Sequence, residues 1–594
     1  FGSRATEFAS SVLFLSRVSR PFLPTTPMIS IMCCSVLVIV MTMTMTIVNG
    51  SNSFLKTRAA DSQARISAQE VQMSLLEEIE SSLGGGTAAR KLNELEEQLR
   101  PMYKALPKNE QGGLSHSVVR YALHRLFVQR HGWSVKGLDP AGGSFNSSSP
   151  AGILKDQVPA FIQDLFEKRL HGKGMGLHEL AVFAATIEHL IHNEAVGRLG
   201  LALNVHDILP TSPMNEVQAD DVLDTYMMAY ILGENLTNMT LEVAKDDLVE
   251  MPELYPAWDE TQEFMRGMRA NTTAATQSHE INFATLAKVA EAAGEHFGSF
   301  QDKECRELKS KLVEMEDRGS GRVRLADFYK PALGGSWQFQ ESVSYLKQLG
   351  ALDESDPKDT RVIIPNYLTS ASNCIASSSF YSVCCMDECE ALMGHLEEEL
   401  SAPEASVHRI SSLIANLPSS SVNAPRTLSS ALLERLNEIA ASHGGTVPIH
   451  GRLFAQWMHH AYPRECPYPH VSGTTNPQTE AEWEDHGNKA TATEDEMLQY
   501  CSPSQDDRSD ATSSVGDVEM PWSSAEELLI MGTPPIFQPD SSKRATLRSF
   551  VLMSLLGSVL IGLFRMFKSE QHSKDSLEAQ YDALDCHSPQ KLFV

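Results

Sequence analysis

Positive charge is scarce in this chain: Lys and Arg number 49 against 76 Asp and Glu, a formal charge of −27. A nucleic-acid binder needs a basic footprint to displace phosphate counterions, so that class is excluded. Short catalytic signatures are missing too, with no G-x-S-x-G elbow, no G-x-x-x-x-G-K-[ST] phosphate loop and no H-E-x-x-H. The glycine-rich run Gly172-Lys173-Gly174-Met175-Gly176 follows a helical pattern rather than a strand, so it is not a dinucleotide loop. Alternating strand patterns and long internal repeats do not stand out either. These absences turn the reading away from an enzyme and towards a helical binding or scaffolding protein.

The two ends carry the long apolar runs. Residues 1–27 are set aside as a leader fragment. Met28 to Val48 holds no charge and leads into the small residues around Val48-Asn49-Gly50, which predicts a signal peptide or signal anchor over 28–50. Ser549 to Phe564 is apolar between Arg548 and Arg565, and this predicts a transmembrane helix over 547–567. That topology makes the chain a single-pass integral membrane protein of the secretory pathway or cell surface. Its main domain is lumenal or extracellular, and its tail, 568–594, is cytosolic. Sequons at Asn146, Asn235, Asn238 and Asn271 then become candidate glycosylation sites. Cys305, Cys374, Cys384, Cys385, Cys389 and Cys466 become disulfide candidates whose pairing the sequence leaves open.

Between those ends the apolar spacing is helical. Leu92, Leu95 and Leu99 continue a pattern that Pro101 is expected to stop, and N-terminal helices cover 51–136. A Gly, Ser and Pro-rich loop follows at 137–151. From 152 to 475 the pattern predicts an all-α lumenal domain; Cys389, Leu392, Met393, Leu396 and Leu400 form one of its apolar stripes. Residues 476–546 form an expected disordered acidic stalk, since 476–540 alone carries 15 acidic and two basic residues. Residues 51–475 carry about −18 of the total, a moderately acidic folded body.

One segment has metal-loop spacing. The run Glu316-Asp317-Arg318-Gly319-Ser320-Gly321-Arg322-Val323-Arg324-Leu325-Ala326-Asp327 follows a helical stretch, with Gly321 at loop position 6 and Val323 at position 8. It resembles a degenerate EF-hand. The resemblance implies oxygen ligands for calcium from Glu316, Ser320, the Arg322 carbonyl and Asp327. Arg318 at position 3, Arg324 at position 9 and the short Asp327 at position 12 depart from the family pattern and oppose a cation. A β-contact to 279–283 would complete a pair within 257–335. The blocks HGWSVKGLDP and CCMDECEALMGHLEEEL also resemble membrane proteins of unicellular algae, a likeness that implies no activity.

Two histidine groups complete the candidates. His450, His459, His460 and His470, with Cys466 among them, could hold a transition metal, although Pro463, Pro467 and Pro469 force extended backbone through the group. His178, Glu188, His189 and His192 lie on one helix, where they read as a polar stripe opposite Leu180, Ala184, Ile187 and Ile191. The leading expectation is a non-enzymatic membrane protein whose lumenal domain binds a protein partner and needs no cofactor. The alternatives are a calcium-binding EF-hand-type module and a lumenal metalloenzyme using 450–470.

Overall fold

In the computed structural model, residues 87–138, 173–276, 280–356, 359–376, 378, 380–501 and 521–529 are described. The first half of the order is α1 (Thr87–Ala105), α2 (His116–His131), β1 (Trp133–Val135), α3 (Leu177–Val205), α4 (Glu216–Leu232), α5 (Leu241–Leu254), α6 (Trp258–Thr276) and α7 (Phe283–Glu314). Next come β2 (Arg322–Arg324), α8 (Leu325–Leu333), α9 (Val343–Gln348), β3 (Leu352–Asp353), β4 (Arg361–Ile363), α10 (Ile364–Leu368) and β5 (Tyr381–Val383). The order ends with α11 (Glu388–Leu400), β6 (Glu404–Ala405), α12 (Val407–Asn416), α13 (Ser430–Ser442), β7 (Val447–Pro448), α14 (Arg452–Ala461), α15 (Glu480–Asp485) and α16 (Glu494–Cys501).

Helix starts follow a recurring two-residue signal. An apolar residue bridges to a distant loop, the next residue caps, and the helix begins. Leu114 bridges Met175 just ahead of α2 and α3, and Met214 bridges Ile281 just ahead of α4 and α7. Val323 opposes Val362 in the β2–β4 pair, ahead of α8 and α10. The β6–β7 pair sets Ala405 against Val447 on the way into α12 and α14. The caps are chemically apt: Asn215 Oδ1 accepts the Gln218 N–H at 2.9 Å, and Asn282 Oδ1 accepts that of Thr285 at 3.1 Å. The result is a series of helix–loop–helix units joined loop to loop. The long helices α3 and α7 each leave one loop and enter the next.

Burial follows these pairings. One core gathers Leu95, Leu99, Phe127, Phe183, Leu199 and Met228 from α1–α4 and takes in α6 and α7, closed by Trp133 and Tyr381 of the β1–β5 pair. A second gathers Phe328, Tyr329, Tyr345 and Val362 around the β2–β4–β3 sheet. A third packs Leu396, Ile414, Leu436, Phe454 and Trp457 from α11–α14. Three disulfides tie the second half together: Cys305–Cys385, Cys374–Cys384 and Cys389–Cys466, with sequence separations of 80, 10 and 77. The first joins α7 to the segment before α11, and the third joins α11 to the turn after α14.

Several expectations need correction. The fold is not all-α, because among the described residues three small antiparallel sheets join the helical units. Short strands of two or three residues are below what alternation can reveal. Among the described residues no helix is long and apolar enough to cross a membrane. The segments expected as leader, signal, spanning helix and tail (1–50 and 547–594) lie outside the described residues, as do residues 51–86. The acidic stretch is not a plain stalk: α15 and α16 sit on the second core, which buries Ala490, Ala492 and Met497, and 521–529 docks elsewhere. Its few apolar residues are spaced to cover an existing face, so net charge understated its packing. Residues 502–520 and 530–546 lie outside the described residues. Helix α1 continues through Pro101 to Ala105. Finally, the loop partner of 316–327 is 353–363, while Ile281 serves Met214 instead.

Candidate functional site

Among the described residues one concavity is a cleft of about 400 Å³. It forms where α7 passes the start of α6, the α8–α9 connection and α15. Apolar walls come from Pro256, Phe300, Leu308, Trp337 and Phe339, with Trp337 43% exposed at the rim. The Cys305–Cys385 disulfide contributes to the lining and fixes α7 there. Against these walls stand Glu260, Glu304, Glu307, Glu341 and Glu480, with Lys303 and Lys311 the only basic residues among the lining. Lys311 already donates to Gln338 Oε1 at 2.7 Å.

The cleft acids are held in an unusual state. Burial, with Glu307 and Glu260 nearby, pushes Glu304 up to about 7. Burial next to Glu341 pushes Glu480 up to about 7, and burial also raises Glu341. Tyr367 donates to Glu341 Oε1 at 2.7 Å and so fixes that carboxyl. The other oxygens are left over: Glu304 Oε2 and Glu341 Oε2 are both buried and have no hydrogen-bond partner. Unsatisfied acceptors in a concave apolar site invite a donor that bears positive charge. The lining holds no histidine, and both of its cysteines are in a disulfide.

The EF-hand-like loop is wired differently from a cation cage. Glu316, whose side chain is 2% exposed, accepts the Gly321 N–H and pairs with Arg464 at 2.8 Å through Nε. Arg322 Nε meets Asp353 Oδ2 of the facing loop at 2.6 Å, Arg361 meets Asp317 at 3.2 Å, and Asp327 binds Lys330. Guanidinium groups thus neutralise Glu316 and Asp317, and an ammonium neutralises Asp327. Gly321 is required here, with φ +73° and the Pro463 carbonyl only 2.1 Å from where a Cβ would stand. The Ser320 hydroxyl is buried without a partner.

The four C-terminal histidines disperse. His450 Nε2 meets Glu397 at 2.8 Å, and His459 Nδ1 meets the Cys466 carbonyl at 2.7 Å. His460 Nε2 meets the Pro521 carbonyl at 3.0 Å, and His470 Nε2 meets the Gly350 carbonyl at 2.7 Å. Burial lowers all four, His460 to about 4, so each stays neutral. Among the described residues no group of three or more His, Cys, Asp or Glu is placed to hold a metal ion.

The α3 group behaves unlike a polar stripe. His189 is half-buried and meets the exposed Asn193 side chain at 2.9 Å, and His178 reaches Glu96. Glu188 and His192 instead face inward, 1% and 4% exposed. Lys91 of α1 bridges Glu188 and Glu295 at 3.1 Å each, and His131 meets Glu188 at 3.3 Å. This network pins α1 and α2 to α3 and α7. The sequons at Asn235, Asn238 and Asn271 are solvent-exposed, and Asn146 lies outside the described residues.

Sequence reasoning missed the cleft acids. Glu480 fell within the expected stalk, and Glu304 and Glu341 belong to no motif. The aromatic run Trp337-Gln338-Phe339 between two helices was the available signal. No family model, curated protein or solved structure matches the chain.

Proposed function

We propose that this protein is a non-enzymatic binding module of an oxidising compartment, in the secretory pathway or at the cell surface. Its α6–α7–α15 cleft holds a Lys- or Arg-bearing apolar segment of a protein partner. The observation that carries this reading is the pair of buried, unpartnered carboxylate oxygens, Glu304 Oε2 and Glu341 Oε2, between aromatic walls. Three disulfides support the compartment, because cytosolic thiols are kept reduced. The loop-to-loop pairing of helix–loop–helix units supports reading the scaffold as degenerate EF-hand pairs. In them, arginine takes the charge-neutralising role of calcium.

The test is fluorescence anisotropy of an amphipathic Leu/Arg peptide with the full chain and with Glu304→Gln/Glu341→Gln. Binding should weaken at least tenfold in the variant and when citrulline replaces arginine. Equal binding of the citrulline peptide would remove the charge argument.

A further inference from the structure

A second recognition surface lies on the α13–α14 unit, and the chain itself occupies it. Residues 521–529 (Pro-Trp-Ser-Ser-Ala-Glu-Glu-Leu-Leu) form neither helix nor strand, and they run as a strap across the start of α14. The strap is read largely through its backbone. Arg452, only 6% exposed, donates from Nε to the Ala525 carbonyl at 2.6 Å and from a terminal nitrogen to that of Ser523 at 2.7 Å. The Arg452 N–H reaches the Glu527 carbonyl at 2.9 Å. One residue therefore registers three alternate carbonyls of an extended chain.

Side chains add selectivity at both ends. Trp522 lies 5.2 Å from the Arg435 guanidinium and faces the His460 ring. Glu526 accepts the Leu453 N–H at 3.1 Å and lies 3.3 Å from His443. The Glu527 carboxylate accepts from the Ser472 N–H and hydroxyl, the latter at 2.9 Å. Gly451 lets the strap approach: a Cβ there would stand 3.0 Å from Glu526 Oε1 and Leu528 Cδ2. The Pro521–Ser523 end does not fill the space beneath it, since it walls a second cavity of about 380 Å³ with Tyr468, His470 and Arg322. Acidic strap and basic groove are complementary, and the packing is incomplete.

We propose that this groove is a recognition site for an extended acidic peptide carrying Trp followed four and five residues later by two Glu. The segment 521–529 acts as its intramolecular ligand, and a partner protein bearing the same pattern displaces it. The occupied groove sets an affinity threshold. A tethered ligand has an effective concentration on the order of millimolar, so a free peptide must outcompete it. Extended peptides bound through main-chain hydrogen bonds and selected by alternate side chains are a recurrent mode of recognition. This inference concerns a surface separate from the cleft and does not depend on it.

The experiment uses the full chain and a fluorescein-labelled peptide MPWSSAEELLI read by anisotropy. The strap is weakened by Trp522→Ala/Glu526→Ala/Glu527→Ala. This variant should bind the peptide roughly 10- to 100-fold more tightly than the unaltered chain. Adding Arg452→Ala, or Gly451→Leu to fill the approach, should remove at least tenfold of that gain. A peptide with Trp and both Glu replaced by Ala should not bind. The proposal is overturned if a strap-weakened chain of unchanged thermal midpoint does not bind, or binds the substituted peptide equally. It is overturned as well if the variant unfolds, because the strap is then an integral part of the fold.

Discussion

Arg125 offers the sharpest test of how the helical units are held together. Its side chain is 2% exposed on α2, with Nε 2.5 Å from Glu390 and a terminal nitrogen on Glu397, both of α11. Glu397 is 1% exposed and also meets His450 at 2.8 Å, so one buried cluster joins α2, α11 and the turn before α14. Replacing Arg125 with Met keeps the aliphatic volume and strands two carboxylates. Removing one partner of a buried pair typically costs about 3–5 kcal/mol. The two acids will not respond alike. Burial already raises Glu390, which can take up a proton, whereas Arg125 and His450 hold Glu397 below the usual carboxylate range against the penalty of burial.

The pH dependence follows from these directions. A carboxylate lowered in the folded state contributes stability that is present above its ordinary value near pH 4.3 and is lost as pH falls through its folded value. Arg125→Met should remove that contribution, so the variant deficit is largest near pH 8, about 3–4 kcal/mol, and shrinks toward pH 4 as the stranded acids protonate. Guanidinium unfolding of the oxidised chain at several pH values measures this. Arg125→Met/Glu397→Gln should recover about 2 kcal/mol of the loss in a double-mutant cycle. A deficit below about 1 kcal/mol, or one independent of pH, would show that the cluster does not join these elements.

Disulfide removal should be graded by loop size. Cys389→Ser/Cys466→Ser, with a separation of 77, should cost about 4 kcal/mol, against about 3 for Cys374→Ser/Cys384→Ser, with a separation of 10; the reverse order in denaturant unfolding refutes the chain-entropy account. Millimolar calcium or chelator should leave the thermal midpoint unchanged, because Arg464 and Arg322 already neutralise Glu316 and Asp353; a rise of several degrees with calcium would contradict this. Burial lowers His192 and His460 to about 4, so the unfolded chain takes up protons first and stability falls as pH drops from about 6.5 to about 4. His460→Gln should flatten that slope, and an unchanged slope by calorimetry counts against it. In the cleft, Glu304 and Glu480, raised to about 7, cost stability as pH rises from the ordinary carboxylate value near 4.3 to about 7, where they ionise. A cationic peptide should therefore bind more tightly at pH 8 than at pH 6, and isothermal titration showing the opposite trend would exclude ionised glutamates as its partners.

The helical character of the chain was legible because apolar spacing on α3, α7 and α11 is long enough to average over exceptions. The pairing of the units was not. Each bridge depends on one apolar residue, such as Leu114, Met214 or Ile281, followed by a cap, and two residues carry too little periodicity to reveal a repeat. The resemblance at Glu316–Asp327 located one loop but mated it with 279–283, because the facing loop at 353–363 lacks the expected glycine and runs into Ile364-Pro365-Asn366. Antiparallel bridging from Val323 to Val362 decides the partner, and no local property of either segment does.

Charge was misleading in proportion to its locality. The concentration of Asp and Glu after 476 suggested a solvated spacer, yet Trp483, Ala492 and Met497 bring part of it onto the second core, and Glu480 reaches the cleft. Arginine was misread in the same way. Arg318 and Arg324 counted only as repulsion toward a cation and Arg322 only as a carbonyl, but Arg322 is 5% exposed and its side chain bonds Asp353 across the paired loops. Arg464 and Arg361, from outside the 316–327 loop, neutralise its Glu316 and Asp317, so these carboxylates are already paired with cations. The cleft acids stand at the opposite extreme. Five glutamates share it with two lysines, one of them already bonded to Gln338, and two buried oxygens lack a donor. Glu316 and Asp317 meet guanidinium groups in the paired loops, whereas Glu304 and Glu341 keep a buried oxygen without a donor where the concave surface opens, which is why we seek the missing positive charge in a partner.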